Sequence, residues 1–343
     1  MIFAWEQVYP TLFVVSRDLL MDQSAINRSP LFPYGRASLR GRIFRECIAA
    51  GVKMTGGDII ALGKRTENKP YPAWHPPRNW LYEKISLPDS AKAEFLVPEG
   101  CTNPNIVIMQ IHGGGYTLGY LPVFQRRIDK LSRLGGLVPV LSLDYRTAPE
   151  HPYPAALEDT LHAVEWLSHV KGIPPESVIT IGESAGAGLS LAASLYMRDK
   201  GLGTFRAMVL MSPWADLTCR ANSYADRYHM DPMFGRIMPP PADELRTAIS
   251  ELYAVGHDLK DPYLSPVFGD LTGLPPMLIH VGEYEMLFDD SATLYKKAVD
   301  AGVDARIKVW PGMFHAFQIA DRMIPEARTA WKEIGEFMRS RFK

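Results

Sequence analysis

The chain has 343 residues, 47% of them hydrophobic and 22% charged, enough to bury a sizeable core in one large α/β domain or two ordinary ones. A net charge of −1 excludes the basic footprint of a nucleic-acid binder or of a polybasic membrane surface. Three widely spaced cysteines, Cys47, Cys101 and Cys219, form no C-x-x-C motif and argue against a disulfide framework.

The first twenty residues are apolar in part, but Glu6, Pro10, Arg17 and Asp18 interrupt them, and a basic start and a small-residue cleavage site are both missing. This reads as an amphipathic helix packing on the rest of the protein, neither a signal peptide nor a membrane span. The sequon Asn27-Arg28-Ser29 therefore has no secretory context, and a cytoplasmic protein with no integral membrane segment is expected. Residues 1–79 carry apolar patches at helical spacing, broken by Pro30, Pro33, Gly56-Gly57 and a Pro/Trp-rich run from Pro70 to Trp80.

Strands are predicted over 81–87 and 91–97, joined by the turn-forming Pro88-Asp89-Ser90. The runs 106–111 and 138–143 are short and continuously apolar, the pattern of strands covered on both faces of a parallel sheet. Helices are expected over 123–134 and 155–170, then a strand from Val178, a helix over 187–199 and a strand over 207–211. Regularity fails between Trp214 and Tyr263, where only 242–253 reads as helix. It returns with strand 277–281, helix 290–301, strand 306–309 and a final helix over 325–342. Such alternation calls for a mostly parallel central sheet with helices on both faces. The irregular blocks 1–79 and 214–262 are expected to form a helical cap on a core made of 80–213 and 263–343, all within one domain.

The chemistry centres on Gly182-Glu183-Ser184-Ala185-Gly186, a G-x-S-x-G turn between a predicted strand and helix. Small neighbours are needed because the serine occupies a strained corner that pushes its hydroxyl outward and aims helix N-terminal N–H groups at developing negative charge. Upstream, His112-Gly113-Gly114-Gly115-Tyr116 follows directly on strand 106–111, and its glycines let unshielded backbone approach a substrate oxygen. A phosphate loop is excluded, since neither G-x-x-x-x-G-K-[ST] nor G-x-G-x-x-G is present. A nucleophilic serine needs a base, and the base an orienting carboxylate, in the order Ser, acid, His. His315 meets that order just beyond strand 306–309, while His280 lies within an apolar strand and reads as a core residue. Four carboxylates, Glu283, Glu285, Asp289 and Asp290, follow strand 277–281.

With its H-G-G-G and G-E-S-A-G motifs, and Asp144-Tyr145-Arg146-Thr147-Ala148-Pro149-Glu150 between them, the chain resembles the hormone-sensitive-lipase family of α/β-hydrolases. The resemblance covers residues 81–343 and implies a capped α/β-hydrolase fold, a serine carboxylesterase and no metal or organic cofactor. It implies oxyanion donors at the backbone N–H groups of Gly113, Gly114 and Ala185. The family's D-P-L-x-D stretch falls on Glu285–Asp289, implying a Ser184, Glu285, His315 triad with Asp289 as the alternative acid; this chain has Glu-Met where the family usually has Asp-Pro. Glu183 and Asp159 read as supports of the elbow and nearby loops, not reacting groups. Tyr116 and Trp214, with Met230, Met233 and Met313, are candidates to line a pocket for a short- to medium-chain or compact natural-product ester. The alternatives are an acyltransferase or product-releasing hydrolase using the same acyl-enzyme, and a non-catalytic ligand receptor, which would be expected to lack a triad member. The expected partner is a small-molecule ester, not nucleic acid, and the sequence leaves a homodimer open.

Overall fold

Each short apolar run is a strand of one sheet, because a run without polar alternation has no face to give to water and must be covered on both. The computed structural model describes residues 36–54, 64, 73–235 and 251–342, and residues 35–343 form one compact unit. In chain order the elements are α1 (Leu39–Met54), β1 (Leu81–Ser86), β2 (Lys92–Val97), β3 (Val107–Ile111), α2 (Pro122–Gln125), α3 (Ile128–Leu134), β4 (Val140–Asp144) and α4 (Ala155–Lys171). There follow β5 (Val178–Glu183), α5 (Ala185–Asp199), β6 (Ala207–Met211), α6 (Ser223–Asp226), α7 (Glu251–Ala254), β7 (Met277–Gly282), α8 (Phe288–Asp300), β8 (Ala305–Trp310) and α9 (Pro325–Ser340).

The eight strands lie in the order β1-β2-β4-β3-β5-β6-β7-β8. Strand β2 runs antiparallel to β1 and β4, and every pairing from β4 to β8 is parallel. Side chains alternate between two cores. Val107, Met109 and Ile111 of β3, with Met208 and Leu210 of β6, pack with Leu189, Leu191 and Leu195 of α5. Ile108, Ile179, Ile181 and Val209 point the other way, onto Ile128 and Leu131 of α3 and Trp331 and Ile334 of α9. Each such buried aliphatic side chain contributes roughly 1.5–3 kcal/mol of transfer free energy, so the sheet is a rigid base for the loops at its strand ends. A third cluster, Trp310, Met313, Phe314 and Phe317 with Ala327 and Ala330 of α9, is partly covered by Phe44 and Ile48 of α1. Arg45 of α1 also donates to Gly312 O at 3.0 Å, so this helix lies over the loop that carries His315.

Two elements depart from the sequence expectation. The helix expected over 123–134 is two helices, α2 and α3, with a turn at Arg126 and Arg127. At that turn Arg127 is buried and paired with Glu183. The helix expected from residue 187 begins at Ala185, immediately after Ser184. α4 ends at Gly172, whose φ of 68° is the left-handed stop that glycine accommodates. The expected N-terminal helix, the sequon, Gly56-Gly57 and most of helix 242–253 lie outside the described residues. Of the expected cap, the described parts are α1, residues 73–79, and a stretch of turns with the single-turn helices α6 and α7. Among the described residues no helix is long and apolar enough to cross a membrane.

Candidate active site

Strand β5 ends at Glu183, and Ser184 turns the corner with φ 55° and ψ −124°, a strained conformation that the surroundings hold in place. Its N–H donates to Met211 O at 2.9 Å, while its carbonyl accepts from Trp214, Ala187 and Gly188 at 3.0–3.1 Å. A Cβ on Gly186 would lie 2.3 Å from both His112 O and Ile111 O, so only glycine lets the elbow close against the end of β3. This brings the two glycine turns together. A Cβ on Gly113 would lie 2.8 Å from Glu183 O and 3.2 Å from Ser184 Cβ. Among the described residues none of the Gly113, Gly114 or Ala185 N–H groups donates to a protein acceptor.

The H-G-G-G turn is anchored by its own histidine. The His112 ring is buried, stacked on Tyr145 with centroids 4.1 Å apart, and its Nδ1 lies 2.8 Å from Gly113 O. A carbonyl can only accept, so Nδ1 carries the proton. Burial pushes the His112 pKa down to about 4, which keeps the ring neutral. Tyr145 donates to His112 O at 3.0 Å, and neighbouring Arg146 forks onto buried Asp159 at 2.7–2.9 Å. The Asp-Tyr-Arg segment thus braces the turn, and Asp159 is the support expected of it.

Across the site, His315 Nδ1 lies 3.1 Å from Glu285 Oε2, with both residues buried. Glu285 Oε1 accepts from Ser212 Oγ at 2.8 Å and from the Gly282 N–H. The other three carboxylates of the segment have different partners. Glu283 accepts from Gly312 N–H at 2.7 Å and Asp289 from Ser223 N–H at 2.9 Å. Asp290 accepts from the N–H groups of Ala215 and Asp216 at 2.9 Å, and burial raises its pKa well above the ordinary carboxyl value. Among the described residues the Ser184 hydroxyl makes no hydrogen bond to the His315 ring. The two are linked through the end of β6, where Met211 O takes the Ser184 N–H and Ser212 Oγ takes the Ala316 N–H at 3.0 Å.

His280 is in the core: it is fully buried beside Trp310, with rings 5.4 Å apart, and neither ring nitrogen has a hydrogen-bond partner among the described residues. Burial, helped by the Lys308 charge, pushes its pKa down to about 3. Tyr116 is buried with its ring 3.9 Å from that of Tyr253 and 5.9 Å from Trp214, which packs in the same cluster beside the elbow. Met313 is buried in the third cluster, Met233 packs partly against it, and Met230 is half-buried.

Three residues that sequence reasoning did not single out frame the site: Arg127, Ser212 and Asp231. Arg127 Nη1 pairs with Glu183 Oε2 at 2.6 Å. Asp231 is buried, accepting from the Met233 and Phe234 N–H groups at 2.8 and 3.0 Å and from Met286 N–H at 2.9 Å. Burial raises its pKa. It joins the acid-bearing turn to Phe234, whose ring stands edge-on to His315 at 4.8 Å. Arg127 and Ser212 bond to carboxylates distant in the chain, and the local turn that Asp231 makes onto Met233 and Phe234 does not reveal its bond to Met286.

Residues 108–319 match a family described as having the alpha/beta hydrolase fold. The chain is 40% identical over 233 residues to an acetyl-hydrolase of Streptomyces hygroscopicus, covering 68% of this chain and 75% of that one. Among solved structures it is similar to an esterase/lipase from an uncultured bacterium, at 34% identity and TM-score 0.77, over 89% of this chain and 99% of the other. It is also similar to a hormone-sensitive lipase from a metagenome library, at 31% identity and TM-score 0.73, over 90% and 100% of the two chains.

Proposed function

The chain belongs to the hormone-sensitive-lipase family of α/β-hydrolases and is a carboxylic ester hydrolase, and from that premise we propose that it works through a Ser184, His315, Glu285 triad. The observation that carries this reading is the buried contact of His315 Nδ1 with Glu285 Oε2 at 3.1 Å, in a loop bonded through Ser212 to the end of the strand beside the elbow. With Nδ1 committed to the carboxylate, Nε2 is the nitrogen left to accept a proton. The ring approaches the Ser184 hydroxyl when the ester is seated, since base–nucleophile contacts of this kind tighten in the substrate complex.

His315 takes the Ser184 proton as Oγ attacks the ester carbonyl, and Glu285 holds the imidazolium in the productive orientation. The carbonyl oxygen becomes an oxyanion received by the N–H groups of Gly113, Gly114 and Ala185, each donor worth on the order of 3 kcal/mol in the transition state. His315 then protonates the departing alcohol. Water, deprotonated by the same ring, releases the acid from Ser184. Tyr116 and Trp214 bound the acyl or alcohol site from the core side. The substrates are short- to medium-chain or compact natural-product esters. None of these steps calls for a metal or an organic cofactor.

Ser184→Ala is expected to abolish p-nitrophenyl acetate hydrolysis and labelling by a serine-directed phosphonate while the circular dichroism spectrum is kept. Undiminished turnover would contradict the assignment. A series of p-nitrophenyl esters of rising acyl length, run with and without competing alcohols, then defines the acyl preference and separates hydrolysis from acyl transfer.

A further inference from the structure

We propose that Arg127 is a positioning residue for the oxyanion site, acting through Glu183 to set where Gly113 sits. This rests on the assignment of Ser184 as nucleophile and Gly113 as an oxyanion donor, and goes beyond it by naming what holds that donor in place.

Arg127 lies in the turn between α2 and α3, 56 residues before Glu183 in the chain, yet the two meet at 2.6 Å with side chains only 7% and 5% exposed. Glu183 directly precedes the nucleophile, and Gly113 is lodged against it. A Cβ on Gly113 would be 2.8 Å from the Glu183 carbonyl oxygen and 3.1 Å from Glu183 Cγ. Main chain and side chain of Glu183 together form the surface on which the H-G-G-G turn rests. A carboxylate this deeply buried keeps its place only while a cation faces it. Without that partner it must swing toward other donors or water, which shifts the Cγ under Gly113.

The cation is itself held fast. The Arg127 guanidinium lies 5.5 Å from the Phe124 ring and 5.4 Å from the Trp331 ring, a slot that suits a flat, stacking cation better than a compact ammonium. Trp331 donates from Nε1 to Gln318 O at 2.8 Å, in the turn that follows His315. One buttress behind the sheet therefore backs both the oxyanion turn and the base loop. The break in the helix expected over 123–134 coincides with the residue that enters this slot.

The test compares an ester with an alkyl boronic acid, which forms a tetrahedral anionic adduct on the serine and so reports the oxyanion site directly. Arg127→Met is expected to lower kcat for p-nitrophenyl acetate about 30-fold, since sub-ångström misplacement of a catalytic group costs on that order. Boronate affinity should fall by the same factor, with KM changed less than about twofold. Arg127→Lys keeps the charge without the plane and should recover kcat to within about fivefold of wild type, boronate affinity recovering in parallel. Loss of kcat with boronate affinity unchanged, a rise in KM alone, or a folded Arg127→Met protein with wild-type kcat would each overturn the proposal. If Arg127→Met does not fold, Arg127→Lys decides: parallel partial losses support the role, and a loss of stability without loss of boronate affinity refutes it. A wild-type protein insensitive to boronate would instead count against Ser184, so the two readings fail separately.

Discussion

At the end of β5 the chain is positioned by main chain against main chain, with a Cβ on Gly186 only 2.3 Å from the His112 and Ile111 carbonyl oxygens and Ser184 N–H donating to Met211 O. At the end of β7 Gly282 is close-packed as well, a Cβ there lying 2.5 Å from Met313 O, but side chains share the work: Glu285 accepts from Ser212 Oγ, Gly282 N–H and His315 Nδ1, and Asp231 pins the neighbouring turn through Met286 N–H. The elbow leaves no room for adjustment, so it should fail all at once. The acid–base arm is assembled from separable hydrogen bonds, so it should weaken step by step. The elbow is specified by what is missing from its residues, and the acid–base arm by that and by the side chains its residues carry.

The largest effect is expected from Gly186→Ala. Its methyl group meets two backbone oxygens that cannot retreat without moving β3, so activity should vanish and stability should fall by about 3 kcal/mol or more. Chemical denaturation and an esterase assay check both, and a folded, active Gly186→Ala protein would break the contrast. On the other arm, Ser212→Ala removes one of three donors to Glu285 and the acceptor of the Ala316 N–H. A hydrogen bond to a charged group is worth about 1.5–3 kcal/mol, so kcat should fall at least about tenfold with the fold retained. Loss of all activity would show that this arm is as brittle as the elbow.

The smallest effect on rate belongs to a histidine outside the site. Burial holds His280 at about 3 and His112 at about 4, against an ordinary value of 6.5. Below pH 6.5 the unfolded chain binds these protons and the folded chain does not, so stability falls as pH drops from 6.5 toward 4. Each group contributes a slope of up to about 1.4 kcal/mol per pH unit. His280→Leu should leave ester hydrolysis unchanged and make the acid side of the urea-midpoint curve shallower than that of the wild type. Parallel curves for the two proteins would contradict the buried, neutral state.

The contrast also explains what the sequence made legible. Glycine turns after apolar runs are local signals, so the elbow, the H-G-G-G turn and the strands that carry them were readable from spacing. Helix 123–134 was read through its interruption because Val123, Phe124, Ile128, Leu131 and Leu134 keep helical spacing across the two-residue turn at Arg126 and Arg127. Arg127, Ser212 and Asp231 were not readable. Their partners at Glu183, Glu285 and Met286 lie 55 to 73 residues away, and a single polar residue in an irregular segment looks the same whether it faces water or a buried carboxylate. For the acid, residue type and order left four candidates, and a motif that fits the family imperfectly at Glu285-Met286 carried the choice.

Glu285 and Asp289 are the two carboxylates between which activity decides. The direct measurement is kcat for p-nitrophenyl acetate in Glu285→Gln beside Asp289→Asn, each checked for an unchanged fold. With its orienting carboxylate replaced by an amide, Glu285→Gln is predicted to lose on the order of 10³–10⁴ in kcat. Asp289→Asn, which keeps an oxygen for the Ser223 N–H, should stay within about twofold of wild type. A Glu285→Gln enzyme with near-wild-type turnover, or a collapse of activity in Asp289→Asn alone, would contradict the triad.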